Sequence, residues 1–191
     1  MNEPEAGRWI SDQDQVAVNL GAAVRAGDVA AVQRMLRDDP ALATARLGTE
    51  ERGSGTSLHL VTDWPGYFPN GPQIARLLIA AGADPNAPTT SRGSSRPGPG
   101  SETPLHYAAS SDDVDVAEAL IDGGADLEVP GGSIGTPLDN AVGYACWHVA
   151  RLLVSRGASV DKAWHAAALG TRQENVISWL RELGARSADS D

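Results

Sequence analysis

Thr103-Pro104-Leu105-His106-Tyr107-Ala108-Ala109 has a near copy 33 residues further on, at Thr136-Pro137-Leu138-Asp139-Asn140-Ala141-Val142. A looser copy starts at Thr56-Ser57-Leu58-His59, and a degenerate one at Lys162-Ala163-Trp164-His165. The copies close alike, on Gly82-Ala83-Asp84, Gly124-Ala125-Asp126 and Gly157-Ala158-Ser159. A chain that repeats itself in phase builds repeated units, each burying its apolar face against its neighbours. Within a unit, threonine suits a helix N-cap and proline the first helical position, where no N–H is needed. Leu105, Ala108 and Ala109 share one face, and the small alanines let another helix approach. Val116, Ala117, Leu120 and Ile121 mark a second helix, which Gly123 and Gly124 stop.

This phrase, with its period, resembles the ankyrin repeat, whose signature is T-P-L-H-x-A. The resemblance implies an all-α solenoid of about five helix–turn–helix repeats. They fall near residues 18–48, 56–86, 103–129, 136–160 and 162–185, in one domain over 15–185 between a flexible 1–14 and a tail at 186–191. The first lacks the signature, as a capping repeat does, and the loop from Asp38 to Gly55 reads as mobile. The second is irregular. Ile74 falls 18 residues after Thr56, whereas Val116 falls 13 after Thr103, so an insertion lies within 65–72. Its prolines and glycines forbid helix there. A second insertion, 87–102, is Ser/Arg/Gly/Pro-rich, which predicts mobility.

Counting from each threonine as zero, offsets 2, 5, 6 and 9 fall on one side of the first helix and belong to the core. Offsets 4, 7 and 8 point the other way, which in the ankyrin architecture is the concave, ligand-binding side. They give Leu60, Asp63 and Trp64; Tyr107, Ser110 and Ser111; Asn140, Gly143 and Tyr144. Tyr67 and Phe68 sit on the first inserted loop, and the two loops are expected to wall the groove. The resemblance makes His59, His106 and His165 structural, each tying one turn to the next. Trp147 and Trp164 read either as packing or as groove wall. Asp112, Asp113 and Asp115 are expected to cap the following helix, and Asp139 to answer a helix dipole.

The chain of 191 residues carries a formal charge of −10, which repels nucleic acid and anionic membranes. No stretch is long and apolar enough for a bilayer span, and the acidic start, Met1-Asn2-Glu3-Pro4-Glu5, does not read as a signal peptide. Cys146 is the single cysteine, which excludes an internal disulfide and fits a reducing cytoplasm. No histidine pair has metal spacing, so no metal is expected, and no nucleotide motif or serine-hydrolase elbow occurs.

The phrases Val61-Thr62-Asp63-Trp64-Pro65-Gly66-Tyr67-Phe68, Leu138-Asp139-Asn140-Ala141-Val142-Gly143-Tyr144 and Trp164-His165-Ala166-Ala167-Ala168 resemble a bacterial group of small stand-alone ankyrin proteins, frequent in actinomycetes. Some ankyrin-like proteins encoded beside polyketide pathways are cyclases that close an oxygen ring. That resemblance implies a cofactor-free cyclase or dehydratase. Asp63 would be its acid/base, Tyr107 and Tyr144 its proton or hydrogen-bond donors. Trp64, Tyr67, Phe68, Leu60, Ser111, Asn140, Trp147 and Trp164 would shape the substrate. The alternative is a module that binds a protein partner through the same aromatic groove. A walled hollow of roughly 300 Å³ or more favours the small molecule, and an open strip favours the protein.

Overall fold

The computed structural model describes residues 8–49, 51–93, 97–98, 100–132 and 134–160. The fifth repeat expected at 162–185, with Trp164 and His165, lies outside the described residues. Among the described residues, eight α-helices form four pairs: α1 (Gln15–Ala26) with α2 (Val29–Asp38), α3 (Ser57–Val61) with α4 (Gly71–Ala80), α5 (Pro104–Ser111) with α6 (Val114–Asp122), and α7 (Pro137–Gly143) with α8 (Trp147–Ser155). The first helices α1, α3, α5 and α7 pack in sequence as one layer, and α2, α4, α6 and α8 form the other. The core lies between the layers: Leu58, Val61, Leu105, Ala108, Ala109 and Ala141 have no exposed surface, and Leu138 and Val142 are buried. Offset 9 departs from expectation. Asp112 and Ala145 take left-handed conformations, φ 58° and 60°, just past the ends of α5 and α7, and Pro65 is exposed. These first helices end too soon for a ninth position to stay on the core face.

The capping chemistry explains why the helices start where they do. In α3 the Thr56 N–H and hydroxyl both reach His59 Nδ1 at 3.0 Å, while His59 Nε2 reaches the Glu102 carbonyl at 3.1 Å. A carbonyl only accepts, so Nε2 carries the proton and Nδ1 accepts. His106 repeats this with Thr103, its Nε2 donating to the Gly135 carbonyl at 3.0 Å. In α7, Asp139 takes the histidine's place: its Oδ2 accepts the Thr136 N–H at 2.8 Å, and Thr136 Oγ1 accepts the Asp139 N–H at 3.3 Å. Asp139 thus closes a reciprocal capping box, a more specific role than answering a dipole.

Four stretches read as loop or tail hold strands, a helix start or long-range hydrogen bonds. The segment from Asp38 to Gly55 contains a hairpin, β2 (Arg46–Thr49) with β3 (Gly53–Thr56), and β1 (Trp9–Ile10) adds parallel to β2. The part of residues 1–14 that is described therefore includes a paired strand, with Ile10 buried. The two ends of the insertion 87–102 are held by hydrogen bonds: Ser54 and Thr90 exchange backbone hydrogen bonds, and the Thr89 N–H donates to the Glu102 carbonyl at 2.8 Å. Finally, α4 begins at Gly71 with Pro72 in its first turn, so helix reaches into 65–72. Proline is tolerated there because first-turn N–H groups have no partner inside the helix.

Candidate functional site

The face away from the core holds a hollow of about 330 Å³ lined by Thr62, Asp63, Trp64, Glu102, Tyr107, Ser110, Ser111 and Tyr144. Asp63, Trp64, Tyr107, Ser111 and Tyr144, expected there from their offsets, do meet. Trp64 is 82% exposed and Tyr144 59%, so the rings form an open rim. Tyr107 lies deeper, meeting the His59 ring edge-on with centroids 5.1 Å apart. Burial raises the Tyr107 pKa above its usual 10, helped by the negative charges of Glu102 and Asp63. Tyr107 therefore enters the hollow as a neutral hydrogen-bonding phenol at neutral pH.

Asp63 accepts its neighbour's N–H, from Trp64, at 3.0 Å and faces Arg25 Nη2 at 3.4 Å. The Trp64 ring turns to solvent and does not enclose Asp63. Asn140 was expected on the groove and is instead fully buried beneath it. Its Nδ2 donates to Glu102 Oε1 at 2.9 Å and to Ser110 Oγ at 3.2 Å, and Ser110 Oγ donates to the His106 carbonyl at 2.9 Å. Asn140 is thus a positioning residue for Glu102.

The other expected lining residues stand elsewhere. Tyr67 leans on the next repeat: its N–H donates to Asp113 Oδ2 at 2.7 Å and its hydroxyl to the Asp112 carbonyl at 2.5 Å. Phe68 packs against the core, as does half-buried Trp147. The first inserted loop is therefore pinned to the α5–α6 turn and does not wall the hollow. Leu60 lines two adjoining hollows, of about 370 and 210 Å³.

His59 and His106 serve the scaffold, as their hydrogen bonds show. Burial lowers the His59 pKa to about 4 and lowers that of His106. Asp113 caps α6 through the Val116 N–H, at 3.3 Å. Asp112 does not share that task. It reaches α8, accepting the Val149 N–H at 2.9 Å and facing His148 Nδ1 at 2.7 Å.

Glu102 is the residue that the offset count missed. A signal for it exists. The residues just before Thr56, Thr103 and Thr136 are Gly55, Glu102 and Gly135, and the last two receive the preceding histidine's proton at their carbonyls. Two of the three are glycine, so the carboxylate stands out once the units are aligned on that position.

Stacked helix pairs with tied turns and an open face define a repeat solenoid. The family model described as "Ankyrin repeats (3 copies)" matches residues 58–163, more than half of the chain. The chain belongs to the ankyrin-repeat family. No curated protein matches it. Among the described residues, no helix is long and apolar enough to cross a membrane.

Proposed function

We propose that the chain is a protein-interaction module that takes an extended segment of a partner polypeptide along its concave face. The observation that carries this is the continuity of three hollows. Asp63 and Tyr107 wall both the 330 and the 370 Å³ hollows, and Asp12, Leu47 and Leu60 wall both the 370 and the 210 Å³ ones. A compact ligand is served by one enclosed hollow, whereas open hollows in a row suit a chain. Trp64 and Tyr144, exposed at the rim, bring area and a polar handle and are the anchors. A photo-crosslinking amino acid placed at Leu60 or Tyr144 should join the module to its partner in cell extract, and one at Arg76, exposed on α4, should not. Equal crosslinking from Arg76 would refute the proposal.

A second function is favoured by one observation, the meeting of Asp63, Tyr107 and Tyr144 in one hollow above the expected size. It is a cofactor-free cyclisation or dehydration of a small oxygenated substrate, with Asp63 as acid/base and the tyrosines as donors. Thermal-shift screening with polyketide-like compounds tests it, because a ligand bound only by the folded chain raises the melting temperature. If turnover of a compound found this way survives Asp63→Asn and Tyr144→Phe, these residues do not have the roles assigned to them.

A further inference from the structure

The chain is acidic overall, yet most acids near the groove are already matched. Asp12 pairs with Arg52, and Asp63 with Arg25. Glu102 is the exception: among the described residues it faces no Lys, Arg or His within ion-pair distance. Its carboxylate accepts a hydrogen bond from the neutral amide of Asn140. The fold nevertheless spends structure on holding this carboxylate in place. Asn140 has no exposed surface and gives its amide to Glu102 and Ser110. Gly132 stands so close that a Cβ there would lie 2.3 Å from Glu102 Oε1. Three aromatic residues, Trp64, Tyr107 and Tyr144, line the same hollow.

We infer that this hollow receives an arginine side chain of the partner segment; the inference rests on the module reading proposed above. A fixed carboxylate lacking a cation leaves negative charge that a ligand's cation can meet. Aromatic faces add attraction for a cation, because the ring's quadrupole is negative on its face. Of the two long basic side chains, arginine fits both features. Its guanidinium is planar, stacks on rings and forks onto a carboxylate, whereas the lysine ammonium is a compact and strongly hydrated point charge. Asp63 in the same hollow and Asp12 further along the groove already hold Arg25 and Arg52, so the arginine seats against Glu102.

The test uses the full chain, labelled with ¹⁵N, and pentapeptides of the form acetyl-Ala-Ala-X-Ala-Ala-amide. X is arginine, citrulline, lysine, leucine or glutamate. The Trp64 indole N–H signal, assigned with Trp64→Phe, reports the hollow, and the Leu60 and Tyr107 amides report the groove. The arginine peptide should move the Trp64 signal and bind about ten-fold or more tightly than its neutral citrulline isostere. Glu102→Gln, which keeps an acceptor for Asn140, should erase that preference and leave the leucine peptide unchanged. Citrulline binding as well as arginine, or Glu102→Gln binding arginine undiminished, overturns the inference. If leucine or glutamate peptides move the groove amides more than arginine does, the arginine assignment fails and the module reading stands. If no peptide moves any groove signal, both fall.

Discussion

Helices α3 and α5 begin on the same threonine–histidine cap, yet α3 runs 5 residues and α5 runs 8. After α5 the chain turns at Asp112 and Asp113 straight into α6. After α3 it wanders from Thr62 to Asn70 before α4 begins. The irregular stretch borrows its anchors from both neighbours: Tyr67 from Asp112 and Asp113, and Asn70 Nδ2 from the Gly27 carbonyl at 2.9 Å. The start of a unit is thus fixed locally, by a cap four residues long, whereas its course afterwards depends on which neighbour offers a partner. The same departure gives the groove its character. Trp64 lies beyond the end of α3, and its ring is free to stand at the rim.

Substitutions can break or sharpen this contrast. The largest effect expected is Leu105→Ala, at about 3 kcal/mol in urea unfolding, from lost burial plus the cavity left in the regular repeat. Leu58→Ala, at the same offset and equally buried, should cost less, because the irregular repeat can relax into the space. Equal costs would mean that the two repeats are equally rigid.

Acid comes next. The neutral ring of His59 accepts two bonds at Nδ1, and its folded pKa of about 4 lies below the ordinary value of 6.5. The unfolded chain therefore takes a proton that the folded chain refuses over this interval. Stability falls as pH drops through it, by at most about 3 kcal/mol from this residue. His59→Asn should flatten that part of the pH profile; an unchanged slope would show that other groups set it.

Asp113→Ala should cost about 2 kcal/mol, since it removes both a helix cap and the acceptor for the Tyr67 N–H. Asp28 only caps α2, through the Ala31 N–H at 2.8 Å, so Asp28→Ala should cost about half as much in the same assay. If the two match, the loop gains nothing from Asp113. Smallest of all, Trp64→Ala should change stability by less than about 0.5 kcal/mol, because the side chain is largely in solvent, while it removes binding in the groove.

Part of the site was open to reading from helical offsets. Those offsets bring Asp63, Trp64, Tyr107 and Tyr144 together, because a stack translates equivalent positions into neighbours. They misplace Asn140, because an offset gives a direction and not a depth: Asn140 points toward the groove side and is covered by Glu102 and Ser110. Tyr67 and Phe68 lie outside the offset count, and the expectation that their loop walls the groove fails because a loop rich in proline and glycine has no period from which to read a direction.

By itself the sequence determined the repeat, the starts of α3, α5 and α7 and the core-facing residues at offsets 2, 5 and 6, since period, cap and apolar spacing act over a few neighbouring residues. Only the tertiary structure decided the hairpin at 46–56, the docking of Thr90 on Ser54 and the seat of Glu102. The last two rest on hydrogen bonds across 36 and 38 positions, and the hairpin, whose own strands pair locally, is joined by β1 from the far side of the first helix pair. Such a partner is chosen by what the folded stack brings within reach, and short-range patterns do not encode it.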